Sequence, residues 1–272
     1  MPAIQSLKKQ LRGIRSTQKL TKAMKTVATV KFSKLNAMYG QYAAYGENCA
    51  AIYERHSSGL LATVRAADPE APAAVVVMAS NKGLCGSFNS ELLSFAIDEL
   101  GKLDNYMLLA CGKKAISYFK EKNLPISREY IFGDVPEHSE SAILLDELIE
   151  WRLEGKVSRV YVIYPHYVNM MNQKPTVQEL FPEAADAVEN MTLFVPDRDT
   201  VIGKTSRTIF RAVFHKFVLE TAVGAQAATL MTMRSAYDTA TEYCTRLEGQ
   251  INRKRQSTVT ADVLETAGER GE

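Results

Sequence analysis

Between Met1 and Gly46 the chain has no acidic residue, although it carries nine basic ones: Lys8, Lys9, Arg12, Arg15, Lys19, Lys22, Lys25, Lys31 and Lys34. A solvated helix face ordinarily mixes both signs of charge, so an unbroken positive track points to an anionic partner. Proline is missing between Pro2 and Pro69 and again after Pro196, so nothing breaks a helix in either stretch. Cysteine is sparse. Cys49, Cys85, Cys111 and Cys244 form no CxxC pair, which excludes a zinc ribbon, a thioredoxin-type motif and a disulfide framework and leaves free thiols in a reducing compartment. No apolar run is long enough to cross a bilayer, and the N-terminus lacks the apolar core of a secretory signal. It is basic and amphipathic, as a transit peptide is, but its apolar rhythm runs on without interruption and reads as mature structure. The four histidines, His56, His138, His166 and His215, show no metal-ligand spacing.

What is present begins with that rhythm. Ile4, Leu7, Leu11 and Ile14 step by three and four, and the pattern continues through Ala28, Phe32, Leu35, Tyr39, Tyr42, Cys49 and Tyr53. A mean step of 3.5 residues is the seam of a left-handed coiled coil. Gln18, Thr21 and Lys25 stand where apolar seam residues belong, so the predicted helix is apolar at its ends and polar and cationic between them. Such a helix, from about Pro2 to Arg55 with fraying expected over 56–59, would be roughly 80 Å long and needs a partner to lie against. The chain supplies one. From about Ser206 onward, Leu230, Met233, Tyr237, Ala240, Cys244, Leu247 and Ile251 repeat the same step. The two stretches pair most economically as an antiparallel coiled coil.

The middle of the chain reads differently. Ala73–Met78 is a continuous valine-rich run, the mark of a strand buried on both faces. Further strands are predicted at Tyr106–Cys111, weakly at Ser127–Phe132, at Arg159–Tyr164 and at Met191–Val195, with a hairpin or loop at Met170–Asn172. Helices are predicted at Ser90–Leu103, Lys113–Lys122 and Ser139–Glu154, the last burying Ile143, Leu144, Leu148 and Trp151. Alternation of this kind argues for an open, Rossmann-like α/β sheet. The expected organisation is therefore a coiled-coil helix over 1–58, an α/β domain over 70–198 and a second coiled-coil helix over 205–267. With 272 residues, 46% hydrophobic and 24% charged, there is ample length for a core, and the net charge of +2 means that the basic N-terminus is offset by acid elsewhere.

Few motifs carry chemistry. Gly83-Leu84-Cys85-Gly86 follows a strand and precedes a helix, where α/β folds cradle phosphate, but its spacing is not GxGxxG and no acid ends the next strand. A tight turn for close packing accounts for it. Gly203-Lys204-Thr205 imitates the end of a P-loop, yet the glycine required five residues earlier is Arg198; it reads as a loop into the last helix. Cys85 has no base beside it and reads as a structural thiol. Asp146-Glu147 lies on an ordinary amphipathic helix. No catalytic constellation, cofactor or metal site emerges. A nucleic-acid binder would interleave aromatic or base-reading side chains with its cations, whereas Phe32, Tyr39 and Tyr42 fall on the seam. A free-standing nucleotide-binding α/β enzyme would leave both long helices unexplained.

Three motifs, in order, resemble one family. Thr17–Ala28 (TQKLTKAMKTVA) resembles the TQKITKAMKMVA signature of the gamma subunit of F-type ATP synthase. Asn81–Asn89 (NKGLCGSFN) resembles that family's DRGLCGGFN. Arg255-Gln256 with Val259-Thr260 and Asp262 resembles its RQAxITxE. The resemblance spans the whole chain and implies a central rotor: paired helices inside a hexamer of alternating alpha and beta subunits, and an α/β domain beside epsilon and the ring of c subunits. It implies torque transmission without a catalytic site of its own. It also implies no cofactor, no nucleic acid and a peripheral place on the cytoplasmic face of a bacterial inner membrane, a mature mitochondrial inner membrane being the lesser alternative.

By the same resemblance Lys8, Lys9, Arg12, Lys19, Lys22 and Lys25 would meet an acidic loop of beta. Cys85 would lie near that loop, and Arg255 and Gln256 would grip one beta subunit. Departures from the family are Asn81-Lys82 for Asp-Arg, Thr26 for methionine, Thr229 for a common arginine, and a charged end, Gly268–Glu272, for a small apolar tip that turns in an apolar sleeve. They leave room for a sodium-driven or mainly hydrolytic complex. The absence of a regulatory cysteine pair favours a bacterial over a plastid origin.

Overall fold

The computed structural model describes residues 2–62, 68, 70–181 and 197–269. It opens with helix α1 (Pro2–Ala62) and closes with helix α5 (Arg198–Glu269). The chain divides into two compact units, Met1–Thr29 with Leu230–Glu272, and Val30–Thr229, so that each long helix contributes to both.

The first unit is an antiparallel helix pair. Rising numbers on α1 meet falling numbers on α5: Arg15 bonds Glu248 at 2.7 Å, Gln18 bonds Thr241 at 2.8 Å, and the Lys25 ammonium lies 5.4 Å from the centre of the Tyr237 ring. Leu7, Leu11 and Ile14 pack against Cys244, Leu247 and Ile251. The apolar seam thus holds the end of the pair, and the expected polar interval along α1 is filled by specific polar contacts with α5.

The second unit contains a five-stranded sheet in the order β3-β2-β1-β4-β5. Its strands are β1 (Ala73–Met78), β2 (Tyr106–Cys111), β3 (Arg128–Tyr130), β4 (Val160–Asn169) and β5 (Asn172–Glu179), interleaved with α2 (Phe88–Leu100), α3 (Lys113–Glu121) and α4 (His138–Leu153). β1 pairs in parallel with β2 and β4, β2 pairs in parallel with β3, and β4 and β5 form an antiparallel hairpin. Every residue of β1 is buried because both faces are covered. Ala74, Val76 and Met78 join α4 and α5 through Leu144, Leu148, Phe210 and Phe214. Val75 and Val77 join α2 and α3 through Leu92, Leu93 and Phe119.

Several expectations are corrected. α1 does not fray over 56–59 but runs to Ala62: two serines and a glycine cost helix propensity without breaking it, and the next proline is Pro69. α5 begins at Arg198, ahead of the expected 205, so Gly203-Lys204-Thr205 lies inside a helix and not in a loop. On α4, Ile143 is 68% exposed, and the buried face is Leu144, Leu145, Leu148, Ile149 and Trp151. β4 extends past Pro165. That proline is harmless to the ladder because β1 pairs with β4 only as far as Ile163. The hairpin turns at Met170-Met171, as the sequence indicated. The strand expected at Met191–Val195 lies outside the described residues.

Candidate partner interface

On the helix pair, Lys8, Lys9, Arg12, Lys19 and Lys22 are exposed, and among the described residues none has an acidic partner. They are therefore free to meet an external anion. Two cations of the same track are engaged within the pair: Arg15 bonds Glu248, and half-buried Lys25 covers Tyr237. Arg255 and Gln256 are exposed on α5. Just beyond them Val259, Val263 and Leu264 are 55%, 61% and 68% exposed, so an apolar face does occur near the end of the chain, ahead of the charged Gly268–Glu272.

The β1–α2 turn belongs to the second unit. Leu84 and Gly86 have φ of +64° and +61°, and these two left-handed residues bracket Cys85. The turn folds the thiol inward, where it is 4% exposed and receives the Asn89 side-chain amide at 3.0 Å. Burial pushes its pKa up, which keeps it protonated and poorly nucleophilic. Leu84, 58% exposed, is what this turn presents to solvent.

The departure at Asn81 has a local reason. Its amide nitrogen donates to the Phe132 carbonyl at 2.7 Å and its oxygen accepts the Lys113 N–H at 3.2 Å. A carboxylate could make the second bond but not the first. Lys82 donates to Asp134 at 2.6 Å, and Lys31 of α1 bonds the same carboxylate oxygen; the two ammonium groups hold the Asp134 pKa below the usual carboxylate value.

At the carboxyl ends of β1 and β2, where α/β sheets bind ligands, there is a cavity of about 60 Å³ lined in part by Asn81, Gly112, Asp134, Thr221, Gln226 and Thr229. That is room for roughly two waters and far from the ~300 Å³ or more of a nucleotide-sized pocket. Among the described residues no group of three histidine, cysteine or acidic side chains gathers to hold a metal, and no helix is long and apolar enough to cross a membrane.

Among the described residues, sequence reasoning missed the burial of three ionisable side chains. Glu220, fully buried, accepts from the Tyr39 hydroxyl at 3.1 Å and the Tyr167 N–H at 3.2 Å and lies 2.7 Å from His166 Nδ1. His215, 3% exposed, lies 2.8 Å from the Ser141 hydroxyl; burial and the neighbouring His138 depress its pKa to about 4. Arg152 is 6% exposed, donates to the Ser158 carbonyl and lies over the Phe181 ring. A lone ionisable residue inside an apolar face was the available signal. Which neighbours satisfy it depends on tertiary packing.

Among the described residues no acidic side chain neutralises Lys8, Lys9, Arg12, Lys19 or Lys22 of the helix pair, a face suited to meet an anionic surface. Comparison with known proteins shows the family. The family model described as ATP synthase matches residues 3–268. The ATP synthase gamma chain of Desulforudis audaxviator (strain MP104C) is 30% identical over 293 residues, covering 98% of each chain. That of Rubrobacter xylanophilus is 27% identical, covering 98% of this chain and 97% of the relative. Among solved structures, the fold matches a chain of the Euglena gracilis mitochondrial ATP synthase OSCP/F1/c-ring assembly with a TM-score of 0.66 at 16% identity, covering 98% of this chain and 93% of that one. It also matches a chain of the Tetrahymena thermophila central stalk/c-ring structure with a TM-score of 0.62 at 20% identity, covering 80% and 99%. The chain belongs to the ATP synthase family, among its gamma chains.

Proposed function

We propose that this chain is the central-stalk rotor of an F-type ATP synthase. It carries torque between an ion-driven c-ring and the catalytic beta subunits and has no catalytic site of its own. The observation that carries the reading is the antiparallel helix pair with Lys8, Lys9, Arg12, Lys19 and Lys22 exposed and unpaired, in a chain that aligns end to end with gamma chains. Exposed charge pairs are individually weak, about 0–1 kcal/mol, and so exchange readily as a shaft turns past successive subunits. In this reading the track, with Lys25 at its edge, meets an acidic surface of the alpha–beta hexamer. Arg255 and Gln256 make a second contact, and the turn around Cys85 makes a third through its exposed neighbour Leu84. Epsilon and the c-ring are the further partners, and the complex lies peripherally at the cytoplasmic face of a bacterial inner membrane. Co-purification tests this. The tagged chain, drawn from gently solubilised membranes of its host, brings down alpha, beta, epsilon and c subunits, and its depletion removes membrane ATPase activity. Recovery of the chain alone, or with nucleic acid, overturns the reading.

A further inference from the structure

We infer that α1 is keyed to the α/β unit by two directional polar anchors, Asp134 and Glu220, which fix the rotational phase of the helix. The first anchor is on the loop between β3 and α4. Asp134 accepts from Lys31 of α1 and, at 2.6 Å, from Lys82 of the β1–α2 turn, so one carboxylate ties three segments. The second lies eight residues along α1, about 12 Å further on. There the Tyr39 hydroxyl donates to Glu220 of α5 at 3.1 Å, and the same carboxylate receives the Tyr167 N–H of β4 at 3.2 Å beside His166 Nδ1 at 2.7 Å. The Lys216 ammonium is 3.9 Å away, and the Tyr39 ring meets Tyr167 edge-on at 5.7 Å. Glu220 is fully enclosed, so its bonds are shielded from water and are more costly to break than surface pairs.

Between the anchors α1 contributes Phe32 and Leu35, both buried. Apolar burial resists separation of the helix from the body, but it is non-directional and tolerates sliding or turning with modest loss. Hydrogen bonds weaken steeply with angle and therefore resist turning. A single anchor leaves a pivot, whereas two anchors two helical turns apart do not. In a chain that transmits torque this is where a helix would otherwise slip against the domain it must turn. The inference rests on the rotor reading for that consequence, and on the geometry alone for the keying.

The test uses Tyr39→Phe, which removes one hydroxyl, and Asp134→Asn, singly and together. In the whole complex reconstituted into vesicles, the double variant hydrolyses ATP at the wild-type rate but pumps about threefold fewer ions per ATP, a larger loss than the two single variants multiplied together. Phe32→Leu, which trims apolar contact on the same helix, lowers stability and leaves pumping per ATP intact. Unchanged pumping in the double variant, or equal uncoupling by Phe32→Leu, overturns the proposal. A second readout needs no partner. Spin labels at Asn36 and Glu150 of the isolated chain give a narrow distance distribution that broadens in the double variant, and an unbroadened one overturns the keying. If the wild-type chain joins no alpha–beta hexamer, the rotor reading fails while this second readout still decides the anchors.

Discussion

Gln18 occupies a seam position of α1, yet its amide donates to the Thr241 hydroxyl of α5 at 2.8 Å, seven residue positions before Lys25 covers Tyr237. Polar residues at seam positions cost stability and specify register, because only one alignment pairs them. Gln18→Leu is expected to raise the unfolding free energy by up to about 1 kcal/mol while loosening the alignment. Spin labels at Ser16 and Thr245 would report a broadened distance distribution. A narrow distribution in the variant would mean that Arg15 and Glu248 hold the register without help.

Replacing Lys8, Lys9, Arg12, Lys19 and Lys22 by glutamine separates a docking role from a folding role. Since none has an acidic partner among the described residues, stability of the isolated chain should stay within about 0.5 kcal/mol of wild type per site. On the proposed function, association with the alpha–beta hexamer should weaken and lose most of its dependence on salt, because screening then has less charge to act on. Binding measured across a salt series checks this. A fall in the unfolding midpoint with unchanged binding would reassign the track to the helix pair itself.

Gly112 follows β2 with φ of +92°, and a Cβ there would sit 2.1 Å from the Ala79 carbonyl oxygen. Gly112→Ala therefore combines backbone strain with a clash against main chain that cannot move aside, and a loss of about 3 kcal/mol or more is expected. Gly13 makes the contrast. It lies within α1 with nothing within 4 Å of an added Cβ, so Gly13→Ala should stabilise by about 0.5–1 kcal/mol. Urea unfolding of the two variants reads both signs in one experiment.

The strands and helices were legible wherever one period dominated. Ala73–Met78 could be little else than a strand covered on both faces, and the three-four steps at both ends of the chain announced the helix pair before its contacts were known. The boundaries were less legible. Glycine and serine at 56–59 weaken a helix only locally, and α1 continued through them. On α4 the run Ile143-Leu144-Leu145 gave three apolar residues for two buried positions, and tertiary packing left Ile143 outside. At the interface, the charge of the track could be read directly. That Arg15 and Lys25 would be engaged by α5, or that Cys85 would be turned inward, could not, because each depends on a partner more than 200 residues away or on two left-handed residues in one turn. Glu220 lies within an apolar stretch of a helix, and its role becomes visible only once Tyr39, His166 and Tyr167 surround it.

Asp134 predicts a specific acid response. Its folded pKa lies below the ordinary 3.8 because two lysines stabilise the carboxylate. The stabilisation is therefore fully present above the unfolded value and is lost as pH falls through the lower folded one. Relative to wild type, Asp134→Asn should be less stable at neutral pH, and that deficit should shrink below about pH 4. With roughly 30% of each of Lys31 and Asp134 exposed, the difference should be of order 1 kcal/mol or less. Chemical unfolding at pH 7 and pH 3 measures it, and a deficit that does not change with pH would make the contribution geometric and not ionic.

His215 titrates with a consequence of the same sign, in a milder acid window. Its ring is enclosed by Tyr42 at 4.8 Å and His138 at 5.2 Å, with the Ser141 hydroxyl at 2.8 Å, and the folded pKa is depressed from 6.5 to about 4. Between those values the unfolded chain binds a proton that the folded chain refuses. Stability therefore falls as pH drops below 6.5, and this contribution levels off once the folded ring also charges, near pH 4. Each pKa unit corresponds to about 1.4 kcal/mol, so the loss could approach 3 kcal/mol. His215→Gln removes the titrating group and keeps an amide able to meet Ser141. Its unfolding free energy should fall less than the wild type's between pH 7 and pH 4.5, and the gap should open in that window, where Asp134 remains fully ionised in the folded chain. Parallel pH profiles for the two proteins would mean that His215 admits a proton with little cost, and that the helix surroundings relax to solvate it.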